Sequence, residues 1–471
     1  MDRSFAAVLA AVAALLVSAP HATRPASPRY VAPAGSGALF LLRGHGWGHG
    51  VGMGQWGAEG DALQGYAYQQ ILAAYYPGTT LSQVAPSSIR VLLASGRKTL
   101  TIASDQPISV EAGDGSEHTL PAGSVQLNPS LQLAVDGGPP QALQPPLTFS
   151  PASGSTLTLG RAYRGQIVVD VVGGTLRAID VLPLEEYLYG VVAAEEPASW
   201  LPAALEAQAV AARSYALASL RPDAPFDVYA DARSQVYLGY SAETPAARQA
   251  VDLTAGQVLL YGGQVATTVY SASSGGQTQS AADAWGGPGE PYLVSLPDPG
   301  DAISPYHDWG PVAVTGKALG RALGVAGRPV DVAVTRNASH RVATLTVTAL
   351  RGGRGQETTV TGRTAASALG LRSAWFTVAV LSLAPPSPGR PVAPGTPVTL
   401  TGVVRGLRGV VLEARPRGGR WTPLAPVAPA SRGGAFSLRV RPLVTTDYRL
   451  ATAQDAAAFV RVRVEAGGAS S

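Results

Sequence analysis

Short apolar runs bounded by Gly, Asp or Pro recur along residues 82–180 and again after residue 256. Runs that are rich in β-branched residues and broken by turn formers are typical of strands. Gly262-Gly263, which separates two of these runs, indicates a tight hairpin. The predicted strands are Ile89–Leu93, Leu100–Ile102, Ile108–Glu111, Ile167–Val172, Gln257–Leu260, Val265–Tyr270, Val330–Val334 and Ala343–Thr348.

Residues 191–220 follow a different pattern. A short apolar run leads to Glu195 and Glu196, and an alanine-rich stretch without Gly or Pro after its first turn follows. This composition predicts a helix over residues 201–220, with Ser199 as its N-cap. Runs of strands with a few embedded helices indicate an α+β fold. Two shorter helices are predicted over Gln69–Tyr76 and Thr315–Leu323.

The tail of the chain alternates apolar and polar positions without a helical segment. It follows residues 385–397, a Pro-rich stretch typical of a stiff linker. We therefore predict a β-rich α+β domain over residues 43–384 and a small all-β sandwich, immunoglobulin-like by its pattern, over residues 398–466. Within the larger domain we distinguish residues 43–81, a β-rich part over 82–180 and a core over 181–384.

The N-terminus has the pattern of a secretory signal. Arg3 precedes an apolar run of thirteen residues, Phe5–Val17, and small residues follow up to Ala22. The run is short for a membrane span, so we expect residues 1–22 to be a cleaved signal peptide. An uncleaved anchor is the alternative. Residues 23–42, which begin rich in Pro, Ala, Ser and Gly, are predicted to be a linker. The mature chain is then secreted and has no membrane span.

Composition narrows the function classes. The 471 residues include no cysteine, which excludes disulfides and Cys-ligated metals. The formal net charge is only +4, and no basic block of the nucleic-acid type is present. We therefore expect no nucleic-acid partner, while weak attraction to an anionic polymer such as a cell-wall glycan stays open.

A glycine-rich stretch stands near the start of the predicted domain. Glycine occurs at positions 44, 46, 48, 50, 52, 54 and 57, which argues against a helix there and allows close backbone approach to a ligand. His45 and His49 lie within it. They are compatible with a metal pair, with structural hydrogen bonds or with a sugar site, and no third ligand lies close in sequence.

Several motifs together resemble one known family. The resemblance is to the stage II sporulation protein D / amidase-enhancer (SpoIID/LytB) family of peptidoglycan-active proteins, and it covers most of residues 44–380. In that family the GHGWGHG block usually follows the catalytic segment, whereas here it precedes it, so we expect a permuted arrangement that folds back onto the same site. The matching motifs are GHGWGHGVGMGQWGA (44–58), LPLEEYLYGVVAAEEPASW (182–200), EAQAVAARSYAL (206–217), SQVYLGY (234–240), YSASSGGQT (270–278), PYLVSLPDPGD (291–301) and ALGLRSAWFTV (368–378).

The resemblance implies an activity and a site. Some members resemble lytic transglycosylases that cut glycan strands, and others are known as enhancers of cell-wall amidases. By position, Glu195 is the catalytic acid/base, with no cofactor and no metal. Glu196 stands where the family commonly has methionine, and we expect it to pair with an arginine or to face solvent. The residues implied to bind substrate are Gln208, Arg213, Tyr215, Ser273, Ser274, His45 and His49.

The chemistry is consistent with one glutamate. Cleaving a glycosidic bond needs an acid that protonates the leaving oxygen. A second carboxylate is unnecessary when a hydroxyl of the sugar itself attacks, and the family resemblance implies that the muramic 6-hydroxyl does so. Two alternatives stay open: a non-catalytic glycan-binding enhancer of an amidase, and a metal-dependent hydrolase that uses His45, His49 and His307. Reserve carboxylates for a hydrolase are Asp227, Asp231, Asp283, Asp298 and Asp301.

Overall fold

The computed structural model describes residues 30–31, 37–386 and 390–465. The predicted signal peptide lies outside this range, as does most of the predicted linker before residue 37. The described residues form two compact units. Residues 50–304 form the first unit, and the residues before 50 together with those from 305 onward form the second.

The first unit is built on a seven-stranded sheet that is antiparallel except at one edge, where Val228–Tyr229 runs parallel to its neighbour. Its inward-facing residues form one continuous apolar core. The β-rich character predicted for residues 82–180 is confirmed. In spatial order the strands are Val228–Tyr229, Ser88–Arg97, Thr175–Pro183, Gln166–Val172, Leu147–Pro151, Ile108–Glu111 and Glu117–Leu120.

Smaller sheets complete the strands of the first unit. The hairpin predicted at Gly262-Gly263 is present between Gln257–Tyr261 and Gln264–Val265, although its second strand is shorter than expected. The residues further on, Tyr270–Ser271, instead pair in parallel with Met53–Gly54. The remaining strands are Thr80–Gln83, Leu100–Ser104, Gly123–Leu127, Gln132–Ala134, Pro140–Ala142, Leu157–Leu159 and Arg161–Tyr163.

Helices of the first unit pack around one central, alanine-rich helix. This helix, α4 (Pro202–Ala218), has one flank in the core of the large sheet and the other in a second apolar cluster. The helix predicted over residues 201–220 is confirmed. Its N-cap is Leu201 rather than Ser199, and Pro202 occupies the first turn, where a missing N–H costs nothing. The helices are α1 Gln55–Leu63, α2 Tyr68–Tyr75, α3 Leu184–Glu195, α4 Pro202–Ala218, α5 Pro245–Leu253 and α6 Ala281–Trp285.

Helix α1 overturns the expectation that the glycine-rich stretch excludes helix as far as position 57. Gly57 and Gly60 both lie inside α1. A Cβ on Gly57 would collide with the Tyr75 hydroxyl and the Asp298 carboxylate, and one on Gly60 would collide with the carbonyl of Gly300. These glycines therefore allow α1 to pack closely against its neighbours, and glycine can adopt the helical conformation.

The second unit contains a five-stranded sheet and corrects two predicted boundaries. Residues 39–42, placed in a linker by composition, belong to the largely buried strand Leu39–His45, which pairs with a strand on each side. Strand Val398–Arg405 pairs with Phe376–Leu383. The Pro-rich segment between them thus connects neighbouring strands of one sheet, a pairing that no local sequence pattern encodes. The remaining strands of this sheet are Asp308–Thr315 and Ala435–Val440.

The rest of the second unit is also mainly strand. A three-stranded antiparallel sheet carries helices α7 Gly316–Ala322 and α8 Gly362–Ala368 near its ends, and Thr315 caps α7. A sandwich of immunoglobulin type stays a prediction. No helix in the described ranges is long and apolar enough to cross a membrane. The remaining strands are Arg328–Arg336, Val342–Arg351, Arg354–Thr361, Tyr30–Val31, Val411–Pro416, Thr422–Pro426, Thr446–Ala451, Asp455–Ala456 and Val460–Val462.

Candidate active site

Glu195 ends helix α3 and is half-buried in the first unit. Its Oε1 accepts a hydrogen bond from the backbone N–H of Val236 at 2.9 Å. The side-chain amide of Gln55 lies 3.4 Å from both Oε2 and the backbone carbonyl of Glu195. Burial raises the pKa of Glu195, and these two hydrogen bonds oppose the rise. The carboxyl group therefore holds a proton to higher pH than a free glutamate, which suits a general acid.

Phenol and amide groups surround this carboxyl. The hydroxyl of Tyr187 donates to the side-chain oxygen of Gln235 at 3.4 Å, and the amide of Gln235 donates to the Tyr270 hydroxyl at 2.8 Å. Burial raises the pKa of Tyr187 and Tyr270 well above that of free tyrosine, and the nearby Glu195 adds to both shifts. Both phenols are therefore neutral, and no cationic side chain is hydrogen-bonded to Glu195 in the described residues.

Helix α1 holds the loop that follows Glu195. Gln55 and Glu59 are four residues apart and so lie on one face of α1. Glu59 Oε2 accepts a hydrogen bond from the backbone N–H of Leu201 at 3.0 Å, at the start of α4. The rings of Trp56 and Trp200 meet edge to face, with centroids 4.9 Å apart. Gln55 and Glu59 were not predicted as site residues from the sequence. Their i, i+4 spacing after the glycine-rich stretch would have indicated two polar side chains on one helix face.

Glu196 differs from its prediction. The side chain is 1% exposed, and neither of its carboxyl oxygens has a hydrogen-bond partner among the described residues. Burial raises the pKa of Glu196 well above its usual value, and the charges of Glu59 and Glu195 raise it further. A protonated carboxyl is neutral and costs much less to bury than a carboxylate, so no arginine partner is needed.

Two of the residues predicted on α4 have internal positions. Arg213 is fully buried and forms a fork on the Glu185 carboxylate, with distances of 2.9 and 2.6 Å. It also donates to the backbone carbonyls of Val251 and Gln257 at 3.2 and 3.1 Å. Arg213 thus joins α3, α4 and α5 rather than facing a substrate. Gln208 is also fully buried, and its amide atoms have no hydrogen-bond partner in the described part of the chain.

Tyr215 is the predicted α4 residue that lies nearest to the chemistry. It is partly exposed, and its charge would influence both Tyr187 and Tyr270. Burial raises the pKa of Tyr215, while hydrogen bonds to Ser234 and Ser219 lower it. Tyr215 therefore belongs to the group of phenols beside Glu195, and its contact with a substrate stays a prediction.

The Ser273-Ser274 turn, predicted to offer donors to sugar hydroxyls, instead encloses a carboxylate. The Ser273 hydroxyl donates to Asp301 Oδ1 at 2.7 Å, and the N–H groups of Ser274 and Gly275 donate to Asp301 at 3.0 Å each. Ser273, Ser274 and Asp301 are all buried. A buried carboxylate needs such donors, so these three groups are occupied within the protein.

The GHGWGHG block is divided between the two units. Gly50 belongs to the unit that holds Glu195, and Gln55, five residues after the block, contacts Glu195 directly. His45 and His49 belong to the second unit, where His45 Nδ1 lies 2.7 Å from Asp308 Oδ1. A place for these histidines beside Glu195 stays a prediction. The described residues contain no group of three or more His, Asp or Glu that could hold a metal.

Most of the reserve carboxylates have structural partners. Asp227 pairs with Arg90 and Asp231 with Arg233, each at 2.7 Å. Asp298 accepts a hydrogen bond from the Tyr75 hydroxyl at 2.7 Å, and burial raises its pKa to about 6. None of the carboxylates of Asp227, Asp231 and Asp298 is hydrogen-bonded to Glu195. The same holds for Asp301, which the Ser273-Ser274 turn encloses.

Comparison with known proteins agrees with the motif-based resemblance. Residues 172–261 match the family described as SpoIID, Stage II sporulation protein. This segment includes Glu195, Arg213 and Gln235, and over it the chain is similar to the SpoIID/LytB family. The resemblance predicted from the sequence is thereby confirmed.

Three relatives illustrate the extent of the similarity. An amidase enhancer of Bacillus subtilis (strain 168) is 41% identical over 114 residues, which are 24% of this chain and 15% of the relative. Stage II sporulation protein D of the same organism is 30% identical over 220 residues, 42% of this chain and 61% of the relative. A protein of Brachyspira hyodysenteriae, described as uncharacterized, is 37% identical over 150 residues, 31% and 40% of the two chains. The chain thus spans less than two thirds of each relative, and no solved structure matches it.

Proposed function

We propose that this protein is a secreted, peptidoglycan-active enzyme that cleaves glycan strands as a lytic transglycosylase. The observation that carries the proposal is the environment of Glu195. The residue is half-buried, burial raises the pKa of its carboxyl, and the carboxyl accepts hydrogen bonds from Val236 N–H and Gln55. A protonated acid that can also be stabilised as a carboxylate is what a two-step proton transfer requires.

In the proposed reaction, Glu195 first donates its proton to the glycosidic oxygen as the bond from the muramic C1 to that oxygen breaks. The Val236 N–H, at 2.9 Å, then stabilises the carboxylate. The muramic 6-hydroxyl attacks C1 and returns its proton to Glu195. One glycosidic bond is exchanged for an internal 1,6-anhydro bond, no water is consumed, and the enzyme regains its starting protonation state.

The neighbouring carboxyl groups favour this single-acid route over ordinary hydrolysis. A retaining glycosidase needs a second ionised carboxylate across the bond, about 5 Å away. Glu196 is buried with its pKa raised well above the usual range, so it holds its proton to higher pH than a free glutamate does. Glu59 is occupied by the N–H of Leu201 at the start of α4. Neither offers the free, ionised group that a hydrolase would use.

A second function is favoured by one comparison. The relative with the highest identity of those described is named an amidase enhancer. In this second proposal the chain binds glycan strands and stimulates a cell-wall amidase without breaking a bond. The residues around Glu195 then form a glycan-binding site. A cell-wall amidase would then be the protein partner.

Mass spectrometry of purified glycan strands after incubation with the protein distinguishes these functions. Ends with 1,6-anhydro-muramic acid support the transglycosylase, and reducing ends indicate a hydrolase. Glu195→Gln should give no product, whereas Glu111→Gln, which removes an exposed carboxyl on the large sheet, should match the wild type. If the wild type gives no product but an added amidase releases stem peptides faster in its presence, the protein is an amidase enhancer and not a glycan-cleaving enzyme.

A further inference from the structure

The tail of the second unit has a charge balance unlike that of the whole chain. Residues 398–465 contain eleven arginines and no lysine against four acidic residues, an excess of seven positive charges, whereas the whole chain has a net charge of +4. Several of these arginines are exposed and have no ion-pair partner in the described residues. Positive charge is therefore concentrated in this part of the molecule.

The backbones of four exposed arginines lie at the end of strands Val398–Arg405 and Ala435–Val440 where Val398 pairs with Val440. The backbone N–H of Val392 donates a hydrogen bond to the carbonyl of Arg463 at 3.0 Å. Arg390 is two residues before Val392, so its backbone lies near that of Arg463. Arg417 donates its backbone N–H to the carbonyl of Thr445 at 3.1 Å, and Thr445 in turn bonds to Val464 through its hydroxyl.

The fourth arginine begins the loop that these contacts surround. Arg441 is followed by Pro442, whose carbonyl accepts a hydrogen bond from the N–H of Gly395 at 2.9 Å. Pro442 is buried, which fixes the base of the loop. The acidic residue of this network is Glu465, whose backbone N–H donates to Val392. Four guanidinium groups against one carboxylate leave a clear positive excess.

The loop exposes two large apolar side chains between these arginines. Leu443 is 71% exposed and Val444 is 54% exposed. Leu443 is the most exposed of the large hydrophobic residues in the described part of the chain. Leaving two adjacent aliphatic side chains in water is unfavourable, and such exposure within a charged surround marks an interaction site.

We propose that this surface, the apolar tip Leu443-Val444 with Arg390, Arg417, Arg441 and Arg463 around it, binds an anionic lipid bilayer. Arginines bind phosphate groups in the headgroup layer, and the two aliphatic side chains enter the acyl boundary. A soluble polyanion would use the arginines but would give the aliphatic pair nothing to bury against. The tip surface thus holds the protein at a membrane surface, close to the glycan strands that the proposed activity cleaves. Only this last step rests on the proposed function.

The absence of cysteine from the chain gives a direct test. The full chain carrying Leu443→Cys is labelled with an environment-sensitive fluorophore and mixed with phosphatidylcholine vesicles that contain about one third phosphatidylglycerol. Emission should shift to the blue, and high salt should reverse the shift. The same label on Leu424→Cys, at a residue that is 53% exposed on strand Thr422–Pro426, should not respond. Because the probe reports only its own position, membrane binding by the apolar N-terminal segment does not imitate this result.

A matched pair of charge variants in the labelled protein tests the arginines. Arg417→Gln with Arg441→Gln should weaken partitioning about fivefold for each arginine replaced. Arg408→Gln with Arg432→Gln removes the same charge at the opposite end of strands Val398–Arg405 and Ala435–Val440 and should change it little.

Three outcomes would overturn the proposal: no shift at position 443, equal shifts at positions 443 and 424, or an equal response to pure phosphatidylcholine. A response to soluble polyphosphate but not to vesicles would assign the arginines to a soluble polyanion instead. Since no readout involves glycan cleavage, failure here is distinct from failure of the proposed enzyme activity.

Discussion

The side-chain amide of Gln55 lies 3.4 Å from the carboxylate of Glu195, although the two residues are 140 positions apart in the chain. The same amide lies 3.4 Å from the Glu195 backbone carbonyl, so it contacts both the reactive group and the end of α3. Strand Met53–Gly54 pairs in parallel with Tyr270–Ser271, a strand far along the chain, and this pairing fixes the start of α1. The glycine-rich block thereby supplies a residue of the site itself.

The first prediction concerns this contact. Gln55→Leu keeps the volume but removes the hydrogen bond, and we expect glycan cleavage to slow by about 10-fold to 100-fold, the usual range for a bond to a charged group. The alkaline limb of the pH–rate profile, where the rate falls as Glu195 loses its proton, should move to higher pH, because the bond with Gln55 lowers the pKa of Glu195. Gln64→Leu, at the exposed end of the same helix, is the matched control. An unchanged rate and profile in Gln55→Leu would show that the contact has no part in the reaction.

A second prediction concerns Asp180, which is buried in the core of the large sheet. Its Oδ2 accepts a hydrogen bond from the Tyr237 hydroxyl at 2.9 Å, and burial raises its pKa to about 8. The folded pKa lies above the unfolded value, so its contribution to stability is complete below about pH 4 and is lost as the pH rises through about 8. Asp180→Asn keeps a neutral acceptor for Tyr237 and should remove this loss.

Melting temperatures of the two proteins between about pH 4 and pH 8 measure the effect. The variant should gain on the wild type steadily as the pH rises, with the largest difference at the alkaline end. Other buried acids, such as Glu196, are common to both proteins and cancel in the comparison. Parallel curves would contradict a protonated Asp180 in the folded state.

The third prediction separates structure from substrate binding at Arg213. Glu185→Ala leaves a fully buried guanidinium group without its carboxylate, and we expect the free energy of unfolding to fall by about 3–5 kcal/mol. Glu186→Ala, at the next position on α3, removes a carboxyl that has no ion pair in the described residues and should cost less than about 1 kcal/mol. Urea denaturation provides the values. Equal stability of both variants, combined with weaker glycan binding in Glu185→Ala, would return Arg213 to a binding role.

The sequence predicts the elements of the first unit well because their patterns are local. Alternating strands, the Gly262-Gly263 turn and the alanine-rich helix all depend on neighbours within a few residues. The contact of Gln55 with Glu195 and the enclosure of Asp301 by the Ser273-Ser274 turn depend on long-range packing. Such contacts have no local signature, so Ser273 and Ser274 were predicted as sugar donors when their donors are used internally.

The prediction that Glu196 pairs with an arginine or faces solvent was wrong for a related reason. A glutamate in a nearly uncharged stretch is expected to seek an arginine or solvent, because exposed acids are the rule. Only the packed structure reveals that two other carboxyl groups, those of Glu59 and Glu195, lie close enough to raise its pKa. The family motif, in contrast, selected Glu195 directly, since the motif depends on sequence position and not on surroundings.

The last prediction compares the two adjacent glutamates. Glu195→Gln should abolish cleavage, with a loss of about 10²–10⁴-fold or more, because an amide cannot supply the acidic proton to the leaving oxygen. The fold should persist, because an amide oxygen can still accept the hydrogen bond from Val236.

Glu196→Gln should leave the rate within a few-fold of the wild type. This carboxyl is protonated in the folded protein, and an amide is a neutral group of nearly the same size. The variant should also be more stable than the wild type above neutral pH, where ionising the buried Glu196 costs free energy. Release of anhydro-ended fragments is measured for both variants side by side, with circular dichroism as the control for folding. An active Glu195→Gln beside an inactive Glu196→Gln would move the catalytic role to the second glutamate. Full activity in both would exclude catalysis by either carboxyl and would overturn the single-acid mechanism.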